Sequence, residues 1–148
     1  MTDKQNPRQL AFLALREVHK GAFADVALER VFRTAKLSGV DRSLVTELVY
    51  GSVRRRRSLD ALIDRLGKKK ANRQPPDLRT ILHLGLYQLR YLSQIPDSAA
   101  VNTTVELAKQ NGVSGLSAVA NGILRKYIRL KEEIGETLQL PENSVERR

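Results

Sequence analysis

The sequence contains no cysteine and no tryptophan, and it has no long apolar run. Without cysteine there is no disulfide framework, no cysteine-ligated zinc site and no thiol nucleophile in these 148 residues. No apolar stretch approaches the roughly 20 residues that a membrane-spanning helix needs. The first residues are polar and lack the apolar segment of a signal peptide. Together these absences favour a cytoplasmic protein.

Aromatic residues are scarce, with three phenylalanines and four tyrosines. Tyr50, Tyr87 and Tyr91 lie in apolar segments and are predicted to belong to the core or its rim. A platform on which the bases of a single-stranded nucleic acid would stack is therefore poorly supported. The lack of tryptophan, and basic runs that are not amphipathic, also argue against attachment to a membrane surface.

Positive charge is abundant and concentrated. The chain has 26 Lys and Arg against 16 Asp and Glu, a net charge of +10. Nine Lys or Arg and two Asp lie between Arg54 and Arg73, a local balance of +7. Like charges repel one another, so folding alone does not favour this concentration. An anionic partner would offset it, and nucleic acid is the commonest cellular polyanion.

Hydrophobic periodicity is helical almost throughout, and we find no strand alternation and no internal repeat. The pattern predicts an all-α bundle of seven helices with short connections and no sheet. Asn6 before Pro7 predicts the cap of the first helix, and Gln9 stands where it would complete a capping box. Gly85 interrupts the fifth helix, at a cost of about 1 kcal/mol relative to alanine, which indicates close approach by a neighbouring helix.

The chain is predicted to hold one domain, residues 1–131, followed by a linker or frayed tail, residues 132–148. The tail contains five Glu and two Arg, has little periodicity, and includes Pro141. Its composition differs from that of the basic, regularly patterned segment before it, which is why the boundary is placed there.

Three groups of cations are candidates for contacting the phosphates of RNA. Residues 54–57 are four consecutive arginines, whose planar guanidinium groups match phosphate. Residues 68–73 form a basic loop that is predicted to be mobile, and the last helix carries the third group. The candidates are Arg54, Arg55, Arg56, Arg57, Lys68, Lys69, Lys70, Arg73, Arg125, Lys126 and Arg129.

The arginine run is also compatible with a purely structural role, which the sequence leaves open. The run is predicted to lie at the end of a helix, where cations complement the negative end of the helix dipole. Some of its members would otherwise pair with Glu47, Asp60 or Asp64. A charge run in a loop is ordinary in itself, so the same alternative holds for residues 68–73.

No catalytic or metal site is predicted. His83 stands between two leucines without a second histidine nearby, and His19 is expected to be exposed near a helix end. No Ser/His/Asp signature, paired carboxylates or Gly-rich phosphate loop is evident. Asn102 and Asn121 interrupt apolar segments and are predicted to make buried hydrogen bonds.

Four segments, in order, resemble NusB-like domains: residues 48–54 (LVYGSVR) with Leu59 and Asp60, residues 81–89 (ILHLGLYQL), residues 95–102 (IPDSAAVN) and residues 120–126 (ANGILRK). The resemblance extends from about Arg8 to Arg129. It implies an all-helical fold of two small bundles and an RNA-binding role. The RNA contacts of that family lie largely on a basic first helix, which adds Arg8 to the candidates.

Within that superfamily, the segments around Tyr50 and Asn121 most resemble the N-terminal domain of small-subunit rRNA cytosine-C5 methyltransferases. Enzymes of that kind hold S-adenosylmethionine and a catalytic cysteine in a C-terminal domain, which this sequence lacks. The resemblance therefore implies an RNA-binding, non-catalytic domain that needs no cofactor of its own. It implies rRNA as partner and S-adenosylmethionine only in the missing catalytic domain.

Two other functions remain open at this point. One is a stand-alone NusB-type transcription antitermination factor, which would need a ribosomal protein partner. The other is a protein-interaction module whose basic face docks a catalytic domain. A DNA-binding helix-turn-helix is less well supported, because no helix pair with the required short turn carries base-reading residues.

Overall fold

The computed structural model describes residues 6–134 and 139–141. Within these ranges the chain forms seven α-helices and no strand, which confirms the all-α prediction. No described helix combines the length and hydropathy that crossing a bilayer requires. The helices are α1 (Pro7–His19), α2 (Ala24–Thr34), α3 (Gly39–Arg54), α4 (Arg56–Leu66), α5 (Pro76–Tyr91), α6 (Asp97–Gln110) and α7 (Ser117–Ile134), with 3₁₀ turns at Ala71–Arg73 and Ser114–Leu116.

Helix α5 is the centre of the molecule. It contacts α1, α3, α4, α6 and α7, and every residue from Ile81 to Leu89 is buried. Helices α1, α2 and α3 pack against one another, and α6 and α7 pack together against α5. The continuous apolar character of α5 follows from this position, because a helix surrounded by others has no solvent face. The arrangement agrees with the two small bundles that the resemblance implies.

Gly85 lies where Thr104 of α6 and Leu124 of α7 pack against α5. A Cβ atom at this position would lie 2.7 Å from Oγ1 of Thr104, 2.8 Å from its Cγ2 and 3.1 Å from Cδ2 of Leu124. Any side chain at residue 85 would therefore force the helices apart. The predicted reason for this glycine, close approach by a neighbouring helix, is confirmed.

The N-cap of α1 is confirmed, since the side chain of Asn6 accepts a hydrogen bond of 2.9 Å from the backbone N–H of Arg8. The capping-box prediction for Gln9 is wrong. Its amide forms two hydrogen bonds with Asn111 at the end of α6, of 2.9 and 2.8 Å. Gln9 therefore joins the first and sixth helices across 102 residues of sequence rather than closing a local cap.

The predicted tail is described only in part. Residues 132–134 belong to α7, which ends at Ile134, three residues beyond the predicted domain boundary. Further along, the carbonyl oxygen of Pro141 accepts a hydrogen bond of 2.9 Å from Oγ of Ser58 on α4. Leu140 packs against the core, and residues 135–138 and 142–148 lie outside the described residues.

Candidate nucleic-acid interface

The arginine run occupies the junction between two helices. Arg54 is the last residue of α3, Arg55 lies between the helices, and Arg56 and Arg57 begin α4. A cation is stabilised at a helix C-terminus but disfavoured at an N-terminus, where the dipole is positive. The prediction that the whole run lies at a helix end is therefore corrected, and the dipole explains Arg54 but not Arg56 and Arg57.

The four guanidinium groups have different surroundings. Arg55 is half-buried and lies over the ring of Tyr91, 4.5 Å from its centroid. Arg56 is also half-buried, whereas Arg54 and Arg57 are exposed. None of the four forms an ion pair with a carboxylate of residues 6–134 or 139–141. The run therefore contains two half-buried arginines and two arginines whose side chains are exposed to solvent.

Asp60, an expected partner of the arginine run, instead forms its side-chain contacts with two residues of α5. Its carboxylate accepts hydrogen bonds from Nε and Nη2 of Arg79, at 3.1 and 2.6 Å, and lies 2.7 Å from Nε2 of His83. Burial alone would raise the pKa of Asp60, but the hydrogen bonds from His83 and Arg79 outweigh burial and hold this pKa well below its usual range.

The two remaining acidic partners that were expected are also engaged elsewhere. Oδ1 of Asp64 accepts a hydrogen bond of 2.7 Å from the backbone N–H of Ala71, and the carboxylate of Glu47 accepts one from the hydroxyl of Tyr87. Burial, followed by this bond to Glu47, raises the pKa of Tyr87. The salt bridges that would give the arginine run a structural role are thus absent among the described residues.

The loop of residues 68–73 gathers exposed cations on a backbone that two hydrogen bonds anchor. Its four cations, Lys68, Lys69, Lys70 and Arg73, are named here the loop cluster; with Asn72 they line an open cavity of about 560 Å³. The bond from Ala71 to Asp64 holds one end of the loop, and Nε2 of Gln74 donates to the carbonyl of Lys69 at 2.9 Å. These two bonds tie the loop backbone to α4 and to Gln74, while the mobility of the loop stays a prediction.

A second cavity, of about 420 Å³, adjoins the loop cluster. Lys68 and Lys69 line it on one side and Lys126 of α7 on the other, with Nζ of Lys126 lying 3.5 Å from the carbonyl oxygen of Leu66. No carboxylate is among the described residues that line either cavity. The fold therefore brings the second predicted group together with one member of the third.

The remaining candidates do not join this cluster by any described contact. Nε of Arg8 donates a hydrogen bond of 2.8 Å to the side chain of Gln88, and burial lowers the pKa of Arg8. Arg125 is exposed and donates to Asn121 at 3.2 Å, one helical turn away, and Arg129 is exposed. Arg8 is thus partly a packing residue, while Arg125 and Arg129 extend the positive surface of α7.

The two asparagines differ from the prediction that they make buried hydrogen bonds. Asn102 is exposed, so the prediction is wrong for this residue. Asn121 is only half-buried and uses its side chain to accept the bond from Arg125 on the protein surface. Neither asparagine is a buried polar link between helices.

The sequence analysis missed one polar face of α3. The residues that line a cavity of about 380 Å³ include Arg42, Thr46, Tyr50 and Arg54, together with Glu47 of the same helix and Tyr87 of α5. The first four are spaced by four residues, so they follow one another along a single helical face. This four-residue spacing is the sequence signal of the face, and it is separate from the run of consecutive arginines.

Two histidines also lie closer together than predicted. The rings of His19 and His83 meet edge to face at 5.2 Å, and Nδ1 of His19 lies 2.8 Å from Oγ1 of Thr80. Burial is the main cause that lowers the pKa of His19, to about 3, and it also lowers that of His83. His19 is half-buried, so the prediction that it is exposed is wrong. Among the described residues no group of side chains is arranged to hold a metal ion.

Comparison with known proteins gives the family of the chain. Residues 5–129 match the NusB family. The chain belongs to the NusB family. It is 58% identical, over 127 residues, to a probable ribosomal RNA small subunit methyltransferase B of Synechocystis, and 38% identical, over 136 residues, to the ribosomal RNA small subunit methyltransferase B of Thermus thermophilus. These matches cover 85% and 92% of this chain.

The chain spans only part of these relatives, 28% of the Synechocystis protein and 33% of the Thermus protein. The matched part is their N-terminal NusB-family domain, so this chain is not by itself the catalytic part of such an enzyme. A solved chain from the "Crystal Structure of a Plectonemic RNA Supercoil" shares the fold, with a TM-score of 0.77, 22% identity, and coverage of 92% of this chain and 99% of that one. The resemblance seen in the sequence is confirmed at the level of family and fold.

Proposed function

We propose that this NusB-family domain binds RNA and positions it for a small-subunit rRNA cytosine-C5 methyltransferase of which the domain is a part. The support is the identity to methyltransferase relatives over nearly the whole chain. Attack on a cytosine ring requires a nucleophile such as a thiolate, which a chain without cysteine cannot supply. The thiol and the S-adenosylmethionine site are therefore assigned to the remainder of the enzyme, and the domain works with it in the cytoplasm.

The loop cluster is the observation that carries this proposal. Its four side chains are exposed, they surround one cavity, and none of them forms an ion pair with a described carboxylate. Holding four cations this close is unfavourable unless an anion binds between them. The backbone anchors at Lys69 and Ala71 fix the cluster in advance, so binding orders little additional chain.

The chemistry of the cluster suits a phosphate chain rather than particular bases. Three lysines offer point charges, and Arg73 offers a planar fork of donors. Phosphate contacts fix register and orientation and carry no sequence information. The domain would therefore hold the RNA, while the catalytic part selects the nucleotide. The relatives favour this role over that of an antitermination factor, since their names describe methyltransferases.

Fluorescence anisotropy with a labelled fragment of small-subunit rRNA, titrated at several salt concentrations, tests the proposal. Each phosphate contact to a single strand contributes about −0.7 to the slope of log K against log salt, so four contacts give about −3. Affinity should then fall roughly 50-fold between 50 and 200 mM salt. Absence of binding at low salt, or binding that does not respond to salt, would contradict the proposal. A matched neutral polymer such as polyethylene glycol should not compete.

A further inference from the structure

The cavity beside the loop cluster has an apolar interior and a basic rim. It lies between the C-terminal end of α4 and the start of α7, with a volume of about 420 Å³. Its rim carries Lys68, Lys69 and Lys126, and no aromatic ring lines it. The apolar side chains that line it include Leu66, Leu78, Leu116, Ala118, Val119 and Ile123. We call this cavity the apolar groove.

Gly122 lines this groove, and no packing contact within the domain requires glycine there. It lies within α7, where glycine weakens a helix relative to alanine. Gly85 is explained by the close contact with Thr104, but a Cβ atom at residue 122 would meet nothing within 4 Å. Packing within the domain therefore gives no reason for glycine at this position. What the missing side chain provides is open space in the groove.

We propose that the apolar groove receives the base of one unpaired RNA nucleotide, while the adjoining phosphates lie on the loop cluster and Lys126. This inference rests on the proposed RNA-binding function and adds the form of RNA that the site selects. Lys68 and Lys69 line both the groove and the open cavity of the cluster, so the two cavities share a wall. A nucleotide joins a flat, largely apolar base to an anionic backbone, which is the combination these cavities offer side by side.

An acidic protein segment is the other ligand that combines apolar groups with negative charge. RNA fits better because the positive surface continues past the groove, through Lys70 and Arg73, around a cavity with no apolar lining residue. Phosphates recur at every nucleotide and would continue to meet cations there. Aliphatic side chains that enclose an extruded base are a known means of holding it. An unpaired nucleotide is required, because a base inside a duplex cannot enter a groove.

Filling the groove with Gly122→Leu tests this inference without removing any charge. The substitution suits the helix, and no described atom stands in the way of its Cβ. The binding partners are a fluorescein-labelled, unstructured RNA of about 12 nucleotides and an abasic ribose-phosphate strand of equal length. We expect about tenfold weaker binding of the RNA, which corresponds to the loss of roughly 55 Å² of buried apolar base surface, and unchanged binding of the abasic strand. Gly39→Leu is the matched control, since Gly39 is also helical, lies outside the groove and has open space around its Cβ position.

Each outcome separates the two proposals. Equal affinity of wild type and Gly122→Leu for the RNA would overturn the base groove and leave phosphate binding intact. Equal losses for RNA and abasic strand would also overturn it, since the variant would then block the backbone. If the wild type binds neither strand, the proposed function itself fails. If a peptide of alternating Glu and Leu binds the wild type and loses affinity in the variant while RNA does not, the ligand is an acidic protein segment. Ala118→Leu fills the same groove from one turn away, adds no aromatic ring on which a base could stack, and repeats the test should Gly122→Leu unfold.

Discussion

The guanidinium group of Arg79 and the carboxylate of Asp60 form a bidentate ion pair between α5 and α4. The Nε–Oδ1 and Nη2–Oδ2 distances are 3.1 and 2.6 Å, and both side chains are little more than one-fifth exposed. His83 approaches the same carboxylate from the core at 2.7 Å. Because the acid nearest to the arginine run in sequence is used in this way, Arg54 and Arg57 remain available on the surface.

Asp60→Ala should lower the free energy of unfolding by about 3 kcal/mol, because it leaves the charge of Arg79 partly buried without its partner. Urea denaturation at neutral pH measures this change. The control is Glu29→Ala, which removes the exposed pair between Glu29 and Arg33 and should change stability by less than about 0.5 kcal/mol. Equal effects of the two substitutions would show that the Asp60–Arg79 pair is not a special link between helices.

Gly85→Ala should destabilise the protein by about 1–2 kcal/mol, although alanine is the better helix former. The new Cβ would contact Thr104 at 2.7 and 2.8 Å and push α6 away from α5. In a Thr104→Ala background both of these contacts disappear, so the penalty should shrink to below about 0.5 kcal/mol. Thermal or urea unfolding of the wild type, the two single variants and the double variant measures this penalty. An equal penalty in both backgrounds would show that contact with Thr104 is not the reason for glycine at residue 85.

The stability of the fold should fall as the pH is lowered from 6.5 towards 4.5. Burial lowers the pKa of His19 to about 3, so in this window the unfolded chain binds a proton that the folded chain does not. Each histidine contributes less than the limiting slope of about 1.4 kcal/mol per pH unit. His19→Gln should remove one contribution and leave that of His83, whose pKa is also lowered by burial. Urea unfolding at pH 6.5, 5.5 and 4.5 measures the slope, and an unchanged slope in the variant would contradict this account.

The low pKa of Asp60 acts in a different pH range. Its contribution to stability is present above the ordinary carboxylate pKa and is lost only as the pH falls further, through its lowered folded value. Measurements between pH 6.5 and 4.5 therefore report the histidines. Below that range the slope should steepen again in the wild type, and Asp60→Asn should abolish this second phase.

Arg55 and Arg57 should separate stability from RNA binding. Arg55→Ala removes the stacking on Tyr91 and should cost about 0.5–1 kcal/mol of stability. Arg57 is exposed and has no ion pair with a described carboxylate, so Arg57→Ala should leave stability unchanged and weaken RNA binding roughly threefold. Urea denaturation and anisotropy on both variants test this. The reverse pattern, with Arg57 stabilising and Arg55 binding, would contradict the division of the run.

Features that depend on neighbouring residues were predictable from the sequence. The seven helices follow from apolar periodicity, and the cap at Asn6 follows from the residue types beside Pro7. Gly85 was interpreted correctly because a glycine inside an apolar helix is typical of a place where another helix packs closely. The family was evident from four segments in order, since such segments encode shared packing around α5.

Features that depend on distant partners were not predictable. The partner of Gln9 lies 102 residues away, and the two histidines that pack together are 64 positions apart. The loop of residues 68–73 has the composition of a mobile segment, but Asp64 and Gln74 anchor its backbone. Charge spacing alone could not show that Lys126 would meet Lys68 and Lys69 across a groove. Such pairings are set by how the helices pack, which local pattern does not encode.

The most direct test of the central claim, that the loop cluster contacts RNA phosphates, is the change in the salt dependence of binding when the cluster is neutralised. Lys68, Lys69, Lys70 and Arg73 are all replaced by Gln, and the control carries the same change of charge at Lys20, Arg30, Arg33 and Lys109. The slope of log K against log salt should become less steep by about 3 in the cluster variant and remain near the wild-type value in the control. Equal slopes for wild type and cluster variant, or equal losses in variant and control, would contradict the claim.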